Sequence, residues 1–278
     1  NGLSSPAVID TRADGYVDFV YAGDLKGNLW KFDLRGEDTS GWGFAYSDGG
    51  TPKPLIQVKN ESGGQPITVE PDVMRMNCGA GQQGNFVVFG TGQYIGTTDF
   101  ENTDTQSFYG VWDWQANWPE DEQKAKYLGE FTASDSDPTL SNPPENADAL
   151  TLLAQTVSDS GDGWREFSEN PISYFMPPGG DPDNDTDHAG WFFNLNDERG
   201  RVIRDPMIRP GSGEDLSIAT FISSVPSESP CAAGGYSWLY RVDVCSGGGT
   251  DSSQFDTNED QIVDEADEKN EGKEFDQM

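Results

Sequence analysis

Two short acidic runs have the residue types and spacing that suit a hard divalent cation. In "DTRADGYVD", Asp10, Asp14 and Asp18 occupy the first, fifth and ninth positions of a loop, with the Tyr16 carbonyl at the seventh and Gly15 at the sixth. Calcium takes about six to eight oxygen ligands, and a loop offering alternate side chains and one backbone carbonyl can wrap around it. Arg12 stands at the third position, where an oxygen is wanted, and a guanidinium repels a cation. Two outcomes stay open: water replaces that ligand, or Arg12 pairs with the aspartates and the loop holds together without metal.

The run "DTNEDQIVDEAD" is more complete. Asp256, Asn258, Asp260, Asp264 and Asp267 fall at positions one, three, five, nine and twelve, with the Ile262 carbonyl at seven. The pattern is similar to the loops of dockerin modules, with Asp in place of the usual twelfth-position Glu. Gln261 stands where Gly is preferred, a strain of ~1 kcal/mol if it takes positive φ. Ile262 also offers an apolar anchor. The competing reading is an unstructured acidic tail, which the composition favours beyond residue 267. Calcium is thus the expected cofactor, held more tightly by 256–267 than by 10–18.

Other chemistry finds less support. "DPDNDTDH" alternates Asp181, Asp183, Asp185 and Asp187, but no acidic residue follows at the ninth or twelfth position, so it reads as a solvated loop. His188, the one histidine, reads as an incidental surface residue. There is no GxSxG elbow, no GxxxxGK[ST] phosphate loop and no CxxC, so neither an enzyme nor a zinc site is expected. Cys231 and Cys245 flank "YSWLYRVDV" and could close a short loop, a pairing the sequence leaves open, while Cys78 stands alone.

The elements that must position these loops are strands. "YVDFVYAG", "GNLWKFDL", "NFVVFGTG", "SFYGVWDW", "GWFFNL", "LSIATFISS" and "YSWLYRVDV" are short, β-branched or aromatic, and bounded by turn residues. "DLKGN" joins the first two as a hairpin, with Gly27 and Asn28 able to take positive φ. Trp30 and Trp238 sit in alternating runs and are expected to be buried. Segments 115–150 and 158–190 read as long insertions, with a short helix in "PEDEQKAKYL" or "NADALTLLAQTV". Composition shifts at "SGGGTDSSQ", which divides a domain at 1–245 from a linker and acidic tail at 246–278.

Asp and Glu outnumber Lys and Arg by 49 to 17, and a formal charge of −32 repels phosphate backbones and anionic headgroups. Neither nucleic acid nor membrane insertion is expected, since no run nears the ~20 apolar residues that span a bilayer. The chain opens in the strand-like "SSPAVID" without initiator Met or leader, which reads as a piece of a longer secreted protein whose remaining strands lie upstream.

Four stretches in order, at 4–34, 87–114, 190–211 and 222–243, resemble the C-terminal domain of PilY-type proteins of type IV pili. "FGTGQYIG … QSFYGVWD" followed by "SSVPSESPCAAGGYSWL" is the most specific part. The resemblance implies an all-β, modified β-propeller with long loop insertions, forming an incomplete ring because the length fills fewer blades than the family's roughly seven. It further implies a secreted, non-enzymatic adhesin or assembly domain at the pilus tip on the cell surface. Pilins or minor pilins and a host or abiotic surface would be its partners, and calcium its regulator. In the family, the position of Arg12 is normally acidic. Two other readings are a quinoprotein-like propeller binding pyrroloquinoline quinone, for which no adjacent Cys pair exists, and a carbohydrate-binding propeller stacking sugars on Trp112, Trp114 and Trp118.

Overall fold

The computed structural model describes residues 2–78, 84–114, 127–133, 140–141, 150–161, 163–174, 187–211, 216–227, 235–250, 253–258, 260–263 and 272–276. Its elements are strands and two single 3-10 turns, and no α-helix occurs among the described residues.

The first sheet contains β1 (Ala7–Ile9), β2 (Phe19–Gly23), β3 (Asn28–Asp33), β4 (Gly43–Phe44), β7 (Ile56–Asn60), β8 (Gly63–Gly64) and β12 (Gly129–Thr132). Its order is β1-β2-β3-β7-β12, with β4 beside β3 and β8 beside β7. A separate ribbon pairs β5 (Ser47–Asp48) with β6 (Thr51–Pro52). The second sheet runs β13-β16-β11-β10-β9, built from β9 (Asp72–Arg75), β10 (Asn85–Gly90), β11 (Ser107–Asp113), β13 (Leu150–Ala154) and β16 (Asp187–Asn194). The third contains β14 (Val157–Gly161), β15 (Trp164–Phe167), β17 (Arg201–Val202), β18 (Met207–Arg209), β19 (Ile218–Pro226), β20 (Gly235–Asp243) and β21 (Gly272–Asp276). Its order is β14-β15-β21-β20-β19-β17, with β18 also on β19. Most pairs are antiparallel, but β12 joins β7 and β13 joins β16 in parallel.

The second sheet is the filling between the other two. Every residue of β10 and β11 is buried, the pattern of strands covered on both faces. On one face Tyr109 meets Phe131 of the first sheet at 6.2 Å. On the other, Phe108 lies 4.2 Å from Phe221 of the third. On the Phe108 face Gly110 is required, because a Cβ there would sit 2.3 Å from the Trp191 ring. The strand β9 touches both β1 and β18, so the three sheets meet along one line of strands. This is an open, propeller-like array, and the described sheets do not close a ring.

The hairpin β2–β3 forms where "DLKGN" stands. Asp24 shapes it by accepting bonds from the Lys26 amide, the Asn28 amide and the Trp30 indole at 2.8, 3.1 and 2.9 Å. Gly27 takes φ 79°, and a side chain there would strike the Val58 carbonyl.

Several expectations are corrected. "NADALTLLAQTV" yields the strand β13 rather than a helix, since Leu150, Thr151 and Leu152 are all buried in the second sheet. "PEDEQKAKYL" lies outside the described residues except Tyr127 and Leu128, which lead into β12. The stretch 158–190 is not simply an insertion, because it includes most of β14, all of β15 and the start of β16. Cys245 bonds Cys78, with Cα atoms 5.3 Å apart, so it is not free to pair with Cys231, which lies outside the described residues. Trp238 is buried as expected, but Trp30 is only half-buried. Nor does residue 245 separate a tail cleanly, because β21 inserts between β15 and β20.

Candidate calcium loops

The 10–18 loop connects β1 to β2. Asp10 accepts from the Gly15 amide at 2.7 Å and Asp14 from the Tyr16 amide at 3.0 Å. Gly15 takes φ 89° and Ala13 φ 55°, which coil the loop tightly. The Gly15 amide, with those of Asp14 and Ala13, holds the Asp10 carboxyl below its ordinary range.

Asp18 is fully buried and committed to the protein. One oxygen accepts from the Thr11 amide, the Thr11 hydroxyl and the Arg12 amide at 2.8, 2.6 and 2.9 Å. The other takes the Arg12 Nε at 2.6 Å. Burial pushes the Asp18 carboxyl up, but these donors outweigh it and leave it below its ordinary value. Arg12 also approaches Asp14 at 3.6 Å. In this arrangement the guanidinium stands in for a cation, and the ninth-position carboxylate has no oxygen to spare.

The 256–262 loop, between β20 and β21, is different. Asp256 Oδ2 accepts from the Gln261 amide at 2.8 Å, Asn258 from the Asp260 amide at 2.9 Å, and Asp260 from the Ile262 amide at 2.8 Å. Gln261 takes φ 72°, the conformation for which Gly is preferred. Asp256 Oδ1 is buried without a hydrogen-bond partner. A buried carboxylate oxygen lacking a donor is costly unless something positive meets it, so this donor set fits a calcium ion better than the first loop does. Asp264 and Asp267 lie outside the described residues. Among the described residues no three acidic, His or Cys side chains converge as a preformed metal cluster. Ile262 is 59% exposed and does not anchor the loop. Phe255 does, packed 5.7 Å from the Trp164 ring with Arg241 over it at 5.3 Å.

Of the remaining candidates, Asp181, Asp183 and Asp185 lie outside the described residues, and Asp187 begins β16. His188 is not a surface residue. It is 9% exposed on β16, with Nδ1 3.1 Å from the Ser173 amide. Trp112 and Trp114 are buried against each other at 5.7 Å, which removes them as a sugar platform; Trp118 is outside the described residues.

Among the buried cations that sequence reasoning missed are Lys31 and Arg201. Lys31 Nζ lies 2.5 Å from Asp113, whose oxygens also accept from Tyr21 and Tyr46 at 2.5 and 2.7 Å. Arg201 donates to the carbonyls of Gln93, Asp99 and Asn102, holding the "GTGQYIG" loop. Both join residues distant in the chain, so no local spacing signals them.

Three propeller-like sheets carrying aspartate-rich turns at strand ends define an all-β domain of the modified β-propeller class. Residues 1–125 match the family model described as the PilY1 beta-propeller domain. Along nearly its whole length the chain resembles PilY1-type domains. It is 33% identical to a type IV pilus biogenesis factor PilY1 homolog of Xylella fastidiosa over 89% of its own length and 14% of that protein. Against the type IV pilus biogenesis factor PilY1 of Pseudomonas aeruginosa PAO1, identity is 32% over 95% of this chain and 22% of the relative. The crystal structure of the P. aeruginosa PilY1 C-terminal domain superposes with a TM-score of 0.68 at 25% identity, covering 98% of this chain and 55% of that one. The chain therefore spans less than a quarter of these two curated relatives and about half of the solved domain.

Proposed function

We propose that this chain is a non-enzymatic, calcium-binding domain of a type IV pilus factor, working outside the cell at the pilus tip. There it supports pilus extension and retraction and attachment to a host or abiotic surface, in contact with pilins or minor pilins. The observation that carries the reading is the similarity to type IV pilus biogenesis factors along nearly the whole chain. Those relatives are named as biogenesis factors, not enzymes.

Calcium enters through the 256–267 loop. Asp256, Asn258, Asp260 and the Ile262 carbonyl supply oxygens, with Asp264 and Asp267 completing the set. Bound there, the ion neutralises clustered carboxylates and fixes the path from β20 to β21. The 10–18 loop, through Asp10, Asp14, Asp18 and the Tyr16 carbonyl, is the weaker site, since binding must displace Arg12 from Asp18. Calcium titration calorimetry on wild type, Asp260→Ala and Asp14→Ala tests the ranking. The Asp260 change removes the tighter event and the Asp14 change spares it; the reverse outcome makes 10–18 the functional loop. Deleting the domain from the pilus factor should abolish surface pili, and normal piliation would sink the pilus role.

A further inference from the structure

A recessed cavity of about 120 Å³ lies where the β7–β8 turn, the loop after β10 and the start of β17 meet. Its walls are polar: Asn60, Gln93, Asn102 and Gln106 bring amides and Asp104 a carboxylate. Gln106 is 7% exposed, and while its Nε2 donates to the Asp104 carbonyl at 3.1 Å, its Oε1 is buried without a hydrogen-bond partner. Such an oxygen is costly until a donor meets it. Arg201 borders the cavity too, but its Nε donates to the Arg199 carbonyl and its terminal nitrogens to the carbonyls of Gln93 and Asn102, at 3.0, 3.0 and 3.1 Å. Its donors are thus committed to the backbone. Next to Gln93, Tyr94 stands 52% exposed, with the Arg201 guanidinium 5.5 Å from its ring centroid. Asp99 fixes this stretch by accepting from the Gln93 side chain and from the Ile95 and Gly96 amides, each at 2.8 Å. A wider recess of about 400 Å³ adjoins the first, sharing Asn60 and Asp104 and adding Ser62, Thr103, Thr105 and Asn194.

We propose that the two recesses form a binding site for a neutral saccharide, with one sugar ring in the inner recess and the neighbouring unit along the outer one. Side-chain amides offer donors and acceptors side by side, and sugar hydroxyls both donate and accept, so each can satisfy the other. An apolar ligand would leave these groups unpaired. An anion would meet Asp104 and a guanidinium already bonded to carbonyls, in a chain of formal charge −32. A cavity of about 150 Å³ holds a benzene ring, so the inner recess admits a single ring and no more. Tyr94 supplies an exposed aromatic face for the C–H side of a sugar, in a place quite apart from the buried Trp112 and Trp114. Because Asp99 and Arg201 already hold the loop, little ordering is left for binding to impose. The site gives a chemistry to the surface attachment proposed above, and it rests on that reading only for the source of the sugar, a host glycan or a bacterial polysaccharide.

Saturation-transfer NMR on the complete natural protein tests this, with D-galactose, D-mannose and N-acetyl-D-glucosamine as neutral probes and N-acetylneuraminic acid as the anionic one. An array carrying host glycans and bacterial polysaccharides separates the two sources. At least one neutral sugar should receive saturation and the anionic one should not. Tyr94→Ala, a change at an exposed side chain, should weaken binding several-fold, and Gln106→Leu should abolish it while thermal melts report whether the fold is kept. No transfer to any of the neutral sugars and no signal on the array would overturn the site, leaving a cavity for ordered water only, whatever the piliation assay shows. Binding that Tyr94→Ala leaves unchanged, or equal binding of N-acetylneuraminic acid, would overturn it as well.

Discussion

Lys31 has 2% of its side chain exposed, with Phe19 4.0 Å beneath its ammonium. Burial pushes its pKa below the usual value, and the Asp113 charge opposes that shift. Removing Asp113 takes that carboxylate from a buried ammonium, so Asp113→Ala should cost about 3–5 kcal/mol in a urea melt. Replacing both residues by apolar ones of similar size should cost much less. His188 offers a second test. Burial lowers its pKa from the ordinary 6.5, with the Ser173 backbone pulling the other way. The unfolded chain then binds more protons than the folded one between the depressed value and 6.5, so stability is full above that range and falls as pH drops through it. With one histidine in the chain, thermal midpoints between about pH 5 and 7 should show a decline that His188→Gln flattens. The turn at Gly27 was legible because a hairpin is local, although Asn28, also expected to be able to take positive φ, does not. The roles of Lys31 and His188 were not legible, because what surrounds them arrives from other strands.

At the scale of elements, the Cys78–Cys245 bridge ties the segment after β9 to the turn after β20, joining the second sheet to the third across a sequence separation of 167. Cross-links closing long loops constrain the unfolded chain most, typically by about 2–4 kcal/mol. Cys78→Ser should lower the unfolding free energy by that amount in a denaturant melt, and an unchanged midpoint would show the sheets need no staple. Proximity in sequence drew attention to Cys231, whereas the true partner is set by how the sheets stack. The strand β13 illustrates the same limit. "LTLLA" is apolar except for Thr151, a short run that suits a buried helix or a buried strand equally well, and only the parallel pairing with β16 decides it. Amphipathic alternation was readable in β19 and β20, where buried positions recur at every second residue over much of their length.

The described residues stack three main sheets, and the all-β character was plain from the spacing of aromatic and β-branched runs. The place of the last strand was not. β21 comes from the most acidic part of the chain, yet it pairs with β20 from Tyr236↔Asp276 to Tyr240↔Gly272 and with β15 through Trp164↔Lys273 and Arg165↔Gly272. Its backbone ladder, together with Lys273 lying 4.4 Å over the Trp164 ring, sets its position more than any apolar signature does. Removing residues 264–278 should therefore leave β15 and β20 without their shared neighbour. Amide exchange ought to accelerate along both strands while β10 and β11 stay protected; unchanged protection in β15 would mean the strand is dispensable.

The central position of β21 also has a consequence in time. A polypeptide emerges from its N-terminal side, so β14, β15, β19 and β20 all exist before the strand that belongs between them. Until residues 272–276 follow, the third sheet has two open edges facing each other, each a template for pairing with another molecule. Late arrival of one five-residue strand thus sets the interval during which a newly made molecule is vulnerable. Anything that organises the 256–262 turn beforehand shortens that interval.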